Sequence, residues 1–308
     1  MAIDPRFRRI AKRLRVFELT CGDDGEDLGL GPGLVEEARA RTRFLDFYSV
    51  EGLRRALDAY GVTAALSEQG LNGWEVVVGS DEAGRSRLQV LLDGILDDDH
   101  RLVDLVMRAE RVRAEVLAED GEIDVLLVDW LCLQNPRATF SPERPRLPGQ
   151  CHPGLGLGHT FHNITLLMAR RLGRDGVLNV PEHYHLARIY DRAGYHFVDE
   201  THREEVEAAQ RATRTLHFAV AAWAVERGFV HRVAEDGTVT PWTYTPAEMV
   251  APVSGLLQSA LGRLPAFLQD LLRPRPRVHM TVELEGLRRS LATEPVEGLD
   301  PERIVPRD

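Results

Sequence analysis

The sequence predicts an α/β protein: a mixed β-sheet flanked by helices, followed by an α+β C-terminal extension. Three stretches carry that expectation. Residues 123–133 contain Val125-Leu126-Leu127-Val128-Asp129-Trp130-Leu131, an apolar run suited to a central strand. Gln150-Cys151-His152-Pro153-Gly154-Leu155-Gly156-Leu157-Gly158-His159 alternates glycine with leucine and opens directly into a helical pattern. Strand and helix signals then alternate as far as Phe197, the order expected of a sheet with helices on its faces.

Taken from the N-terminus, residues 6–15 form a basic amphipathic helix. Phe7, Ile10, Leu14 and Phe17 lie on one stripe, which we expect to pack on the core. Residues 22–33 are rich in glycine and acid and read as a mobile loop. Residues 49–60 read as a helix with Ser49 as N-cap, Leu53, Ala56, Leu57 and Tyr60 as its apolar stripe, and Gly61 as its stop. Trp74–Val78 and Arg87–Leu92, joined by the turn-rich Gly79–Gly84, predict a β-hairpin. Residues 99–118 read as a charged helix burying Leu102, Leu105, Val106, Ala109, Val112 and Val116. The strand 123–133 follows. Prolines 136, 142, 145 and 148 mark 135–149 as an inserted loop, because proline interrupts a central strand.

After the glycine run, Ile164, Leu167, Met168 and Leu172 recur at helical spacing, with Gly173 as the stop. Val177–Val180 reads as a short buried strand ended by Pro181. Ala187–Phe197 reads as a short helix, a glycine cap at Gly194 and an aromatic strand. Beyond it, 203–227 reads as one long helix, 229–245 as a hairpin around Asp236-Gly237, 247–272 as a helix and 277–283 as a strand. The tail from 294 is rich in proline and charge and reads as draped or loose. The expected domains are therefore 1–48, a basic helix and loop; 49–199, the main sheet with its insertion; and 200–308, the extension.

The order glycine loop, helix, strand, helix ending in Tyr-x-x-x-Gly-aromatic, strand resembles the acyl-CoA-binding half of the GNAT N-acetyltransferase superfamily. In that family the loop reads Arg/Gln-x-x-Gly-x-Gly/Ala and the later helix roughly Ala-x-x-x-Tyr-x-x-x-Gly-Phe. Pro153-Gly154-Leu155-Gly156-Leu157-Gly158 answers to the loop except at its first residue. Ala187, Tyr190, Gly194 and Tyr195 answer to the second motif. The likeness spans residues 150–199. It implies a GNAT-like sheet and an N-acyltransferase taking acetyl-CoA or another acyl-CoA as co-substrate, with a small-molecule or protein amine as acceptor. It also implies a pyrophosphate held by backbone groups of Gly154, Leu155, Gly156, Leu157, Gly158 and His159, and a thiolate protonated by Tyr190. Glu182 and His183, just past the strand, are the nearest candidates for the base. Pro153 offers neither side-chain donor nor N–H, so a catalytically inactive GNAT-fold binding protein stands as an alternative.

The residues themselves also raise other chemistry. A glycine run feeding a helix N-terminus suits an anion, because free N–H groups and the helix dipole converge there. His152, His159, His162, His183, His185 and His196 cluster in sequence, with His159 and His162 one helical turn apart and His183-x-His185 on one face of a strand. A metal-dependent hydrolase is therefore a second class. Irregular spacing and the lack of a Cys-x-x-Cys pair among Cys21, Cys132 and Cys151 lead us to expect no metal there. The formal net charge of -10 argues against a nucleic-acid partner. No apolar run approaches a membrane span and no leader is evident, so a cytoplasmic protein is expected.

Overall fold

The computed structural model describes residues 3–21, 43–113, 121–261 and 278–301. It is an α/β protein whose main sheet has seven strands of mixed direction, flanked by helices. Its strands are β1 (Trp74–Ser80), β2 (Ser86–Leu92), β3 (Arg101–Arg113), β4 (Glu122–Leu133), β5 (Gly176–Asn179), β6 (His196–Phe197) and β9 (Met249–Pro252), in the order β1-β2-β3-β4-β5-β9-β6. A second sheet orders β10 (His279–Val282), β7 (Val230–Val233) and β8 (Val239–Pro241). Two compact units divide the chain. Unit 1 comprises Met1–Arg137, Gly154–Leu178 and Pro252–Leu257; unit 2 comprises Ala138–Pro153, Asn179–Ala251 and Gln258–Asp308.

Unit 1 starts with α1 (Pro5–Arg13) and α2 (Val16–Thr20). Asp4 caps α1 by accepting the Arg6 N–H at 2.7 Å, and Phe7 is its buried residue. Phe7 stacks on Tyr60 and meets His159 edge-on, so the basic helix packs one face inward as expected. The stripe does not reach Phe17, which is 70% exposed because α1 ends at Arg13 and Phe17 falls on α2. Arg171 donates to the Ala11 and Leu14 carbonyls at 3.1 and 3.2 Å, closing the C-terminal end of α1 with positive charge. The acidic stretch expected to be a mobile loop, 22–33, lies outside the described residues.

Ser49 caps α3 (Val50–Ala59) through the Gly52 N–H, and α4 (Val62–Glu68) follows after Gly61 at φ 81°. Ser49 Oγ also donates to the Cys21 carbonyl, and its N–H to the Leu19 carbonyl, so the end of α2 lies against the start of α3. Gly52 is a glycine inside a helix because a methyl group there would run into the Leu19 backbone.

The hairpin β1–β2 pairs Trp74 with Leu92 through Ser80 with Ser86, as its sequence predicts. Residues 99–118 correct the helix expected there. Arg101–Arg113 is strand β3, antiparallel to β2 and to β4; residues 114–118 lie outside the described set. The apolar residues fit both periods, but Leu102, Val103, Leu105 and Met107 are buried in a strand pattern. Two of its charges make pairs across to the neighbouring strands. Arg111 faces Asp124 at 3.0 Å, and Arg87 of β2 takes Asp104 in a two-pronged bond of 2.8 and 2.5 Å. Asp104, 1% exposed, is tolerated because that bond neutralises it.

Helix α5 (Gly158–Arg171) buries Phe161, Ile164, Leu166, Leu167, Met168 and Ala169, and Gly173 ends it at φ 68°. Asp175 then ties β5 to β4. Its N–H donates to the Asp124 carbonyl at 2.6 Å, and its carboxylate accepts the Asp124 N–H at 3.0 Å. Both strands start at that end and so run in the same direction, with α5 as the crossover.

In unit 2, α6 (Tyr184–Arg192) begins three residues before the helix read from Ala187, and Gly194 at φ 89° ends it. The long helix predicted over 203–227 is two helices, α7 (Glu200–Ala212) and α8 (Phe218–Glu226). Thr213 caps the first and the His217 ring starts the second. The predicted helix 247–272 instead begins as strand β9, paired antiparallel with β6. Pro246 and Pro252 bracket it and exclude a helix interior. Only then come α9 (Gly255–Leu261) and residues 262–277, outside the described set. The hairpin β7–β8 and strand β10 form as predicted. Their core packs Tyr184, Val206, Val220 and Trp242 with Leu287 and Leu291 of α10 (Leu284–Thr293). The predicted loose tail is fastened as far as Asp300: Val296 is buried and the Glu297 carbonyl accepts the Arg146 N–H at 2.9 Å.

Gly52→Ala should therefore destabilise the protein by about 2–3 kcal/mol, since backbone cannot yield as a flexible side chain does. Chemical denaturation compares it with Ala56→Gly on the same helix, whose expected cost is about 1 kcal/mol.

Candidate functional site

The glycine run spans both units: Gln150–Pro153 belongs to unit 2 and Gly154–His159 to unit 1. In unit 1 the alternation has a clear use. Leu155 and Leu157 are 3% and 6% exposed and anchor the loop, while Gly156 and Gly158 between them face outward. Gly154 bridges to Gln134 at the end of β4, and the Leu155 N–H donates to the Leu133 carbonyl at 3.3 Å. Gln69, just past α4, donates to the Leu155 carbonyl at 3.1 Å, and Asn135 donates to Gln69 at 3.2 Å. Sequence reasoning missed Gln69 and Asn135; a buried asparagine directly after the apolar strand was the available signal.

Gly156 sits at φ 75°, a conformation side chains resist, and a side chain at Gly158 would meet open space. No side chain caps α5 at its N-cap residue Leu157. Among the described residues no acceptor meets the N–H groups of Gly156, Leu157, Gly158 and His159. That leaves free donors at the N-terminal, positive end of a helix, an arrangement suited to an anion. The Leu155 N–H, expected among these donors, is already taken by β4. The side chain of Gln150, near the family's arginine or glutamine position, turns back to accept the Leu147 N–H at 3.0 Å.

Unit 2 holds the other named residues. Tyr190 lies on α6, its ring 5.0 Å from Tyr195. Burial pushes its phenol above the ordinary range, partly offset by the Asn179 side chain beside it. Its helix ends as the motif demands: the Gly194 N–H returns to Asp191 and the Tyr195 N–H to Tyr190. Tyr184, at the start of the same helix, is core: its hydroxyl meets Thr213 at 3.2 Å inside unit 2.

His183 is the N-cap of α6 and His185 lies within the helix, so the two do not share a strand face; their rings stack 5.5 Å apart instead. His183 Nδ1 is 3.2 Å from Glu226 of α8, and its Nε2 side abuts Gly149, where any side chain would collide with the ring. Glu182 is exposed, without a hydrogen-bond or ion-pair partner among the described residues. His159 and His162 stand on α5 in unit 1. Among the described residues no three His, Cys, Asp or Glu side chains are grouped as metal ligands. A cleft of about 230 Å³ lined by Ala212, Thr215, Leu216 and Met280–Val282 with Leu284 carries no ionisable lining.

No family model matches the sequence, and no curated protein matches it. A solved structure described as "Crystal structure of bacterial toxin" is similar at 10% identity, over 67% of this chain and 83% of that chain, with a TM-score of 0.29. A likeness at that score carries no argument. No described helix is long and apolar enough to cross a membrane.

Burial, and secondarily His183, push the His185 imidazole down from 6.5 to about 3. Below pH 6.5 the unfolded chain binds a proton there that the folded chain refuses, so this stabilisation is complete above pH 6.5 and is lost as pH falls toward 3. Between pH 7.5 and 5.5 the wild type should lose about 1.4 kcal/mol more than His185→Leu. Urea denaturation at the two pH values checks this, and equal losses would refute it.

Proposed function

We propose that the chain is an N-acyltransferase that moves an acyl group from acyl-CoA to an amine, on the pattern of the GNAT superfamily. One observation carries the reading. Strand β4, a glycine loop with free N–H groups, helix α5, strand β5, helix α6 bearing Tyr190, and strand β6 follow one another in the order of that family's acyl-CoA-binding half. The loop's clamping by Gln69 and β4 supports it further, because fixed donors bind an anion without first losing freedom.

In this reading the N–H groups of Gly156–His159 take the pyrophosphate. The acceptor amine attacks the thioester carbonyl carbon, the carbon–sulfur bond breaks, and the thiolate takes the Tyr190 proton, which solvent later replaces. The proton lost by the amine goes to His183, which Glu226 orients through Nδ1. Glu182, exposed and unlinked, is the alternative base. The net charge of -10 favours a cationic acceptor by steering its approach. The alternative of an inactive binding protein rests on Pro153 and on the turned-back Gln150, which leave the loop with backbone donors only.

Gly156→Val should lower CoA affinity at least tenfold, by strain at positive φ and by filling the anion's space; isothermal titration reads it. Tyr190→Phe should lower kcat by about 10²–10⁴-fold with CoA affinity little changed. Turnover at the wild-type rate would reduce Tyr190 to packing. Wild-type binding of CoA without turnover of any acyl-CoA would favour the inactive reading.

A further inference from the structure

A strongly basic surface lies near the N-terminus, and the acyl-CoA reading makes no use of it. Residues 6–15 hold six basic residues and no acid, in a chain whose acids outnumber its lysines and arginines by 48 to 38. Helix α1 sorts them. Phe7 turns inward onto Tyr60, while Arg6, Arg9, Lys12 and Arg13 are exposed. At 3.6 residues per turn these four fall within an arc of about 120°. None of them has an ion-pair partner among the described residues. The flanking acids are turned to backbone: Asp4 accepts the Arg6 N–H at 2.7 Å, and Glu18 accepts the Arg15 N–H at 2.8 Å.

Apolar side chains stand beside this face. Phe17 continues the stripe of Phe7, Ile10 and Leu14, so an unbroken helix would turn it inward. The chain instead leaves helical geometry at Leu14 and Arg15, with ψ 104° and 152°, and restarts as α2. Val16 and Phe17 are left 57% and 70% exposed, and Phe17 is the most exposed large apolar side chain among the described residues. Four residues of chain keep it within about 14 Å of Arg13. Arg15, between them, is exposed too.

We propose that this surface docks on an anionic lipid bilayer, with Arg6, Arg9, Lys12, Arg13 and Arg15 at the headgroups and Phe17 inserted among the acyl chains just below. Charge complementarity sets the sign of the partner, and Phe17 sets its kind. A nucleic-acid duplex presents phosphates but no apolar layer for Val16 and Phe17. An acidic protein partner would be met by an apolar cluster at the centre of the patch; here the apolar residues lie at one end of a charged helix face. A bilayer needs no shaped pocket, only positive charge held at its surface and an apolar side chain that reaches past the headgroups. The acid excess of the rest of the chain is repelled by the same surface, so docking takes place through this end alone.

The test is co-sedimentation of the full chain with vesicles of phosphatidylcholine alone and of phosphatidylcholine with phosphatidylserine, each at low and high salt. The wild type should bind only the anionic vesicles and be released as salt screens the headgroups. Each basic residue near such a surface strengthens binding about fivefold, so Arg9→Glu Arg13→Glu should weaken it by about 25-fold or more. Phe17→Ser should weaken it by about tenfold. All three side chains are exposed, so melting temperatures should match the wild type. Where the double reversal melts lower, Arg9→Gln Arg13→Gln takes its place. Equal binding to both vesicles overturns the proposal, as does binding unchanged by the paired arginine substitutions. Phe17→Ser at wild-type affinity also overturns it, because charge alone would then account for the attraction. No binding by the wild type overturns it too, the outcome expected if the face meets an acidic protein segment instead, this chain's own Asp23–Asp27 included.

Discussion

Strand β4 holds both ends of the crossover that carries α5. At its C-terminal end it fixes the glycine loop through Gly154 and the Leu155 N–H; at its N-terminal end Asp124 receives Asp175, the residue before β5. Between these points α5 covers roughly 21 Å, its 14 residues at 1.5 Å each. The Asp175 carbonyl also accepts the N–H groups of Val253 and Ser254 at 2.7 and 2.8 Å, bringing the third segment of unit 1 to the same junction. A helix fixed at both ends cannot slide or rotate without breaking strand hydrogen bonds. The free donors at its N-terminus therefore keep one direction, and that constancy is what an anion site needs most.

The same constraint explains the odd composition of the loop. Each leucine is an anchor and each glycine a vertex, so the loop is held by apolar burial and carries no charge of its own. In a chain with net charge -10, an incoming polyanion is repelled at long range. In the acyl-CoA reading we propose, binding would come from short-range donors, where the helix end and the N–H groups of the loop act at contact. An arginine in place of Pro153 would add attraction, and its absence makes the geometry of the remaining donors more decisive. Gln69 and Asn135 matter for the same reason: they hold the Leu155 carbonyl, and with it the peptide planes whose N–H groups face outward.

Elements whose buried residues follow one clear period were legible in the sequence. The hairpin β1–β2, the apolar β4 and helix α5 behind its glycine run were of this kind, as was the Tyr190–Gly194 ending of α6. Strand β3 was not, because Leu102, Leu105, Val106 and Ala109 satisfy a helical period as well as a strand; only pairing with β2 and β4 decides. Strand β9 was lost for a different reason. Four residues are too short for periodicity, and the flanking Pro246 and Pro252 were the only local evidence. The break between α7 and α8 depends on a buried Thr213 hydroxyl returning to the Ala209 carbonyl and on a histidine as N-cap, neither a strong sequence signal. Within the candidate site, the glycines and Tyr190 could be named from sequence. Two of their supports, Gln69 and Glu226, bond the site from 86 and 43 residues away and could not.

Unit 2 places two kinds of buried polar group on adjoining elements, and the contrast separates scaffold from site. Tyr184 and Thr213 satisfy each other and the Ala209 carbonyl, so they add specificity to the core without asking for anything more. His185 stays neutral against Phe218 and His183, which makes it a cost that appears only in acid. Asn179, 4% exposed, hydrogen-bonds the Tyr190 side chain, so its burial is compensated by the residue proposed as the acid, and a change at either one alters the surroundings of that hydroxyl.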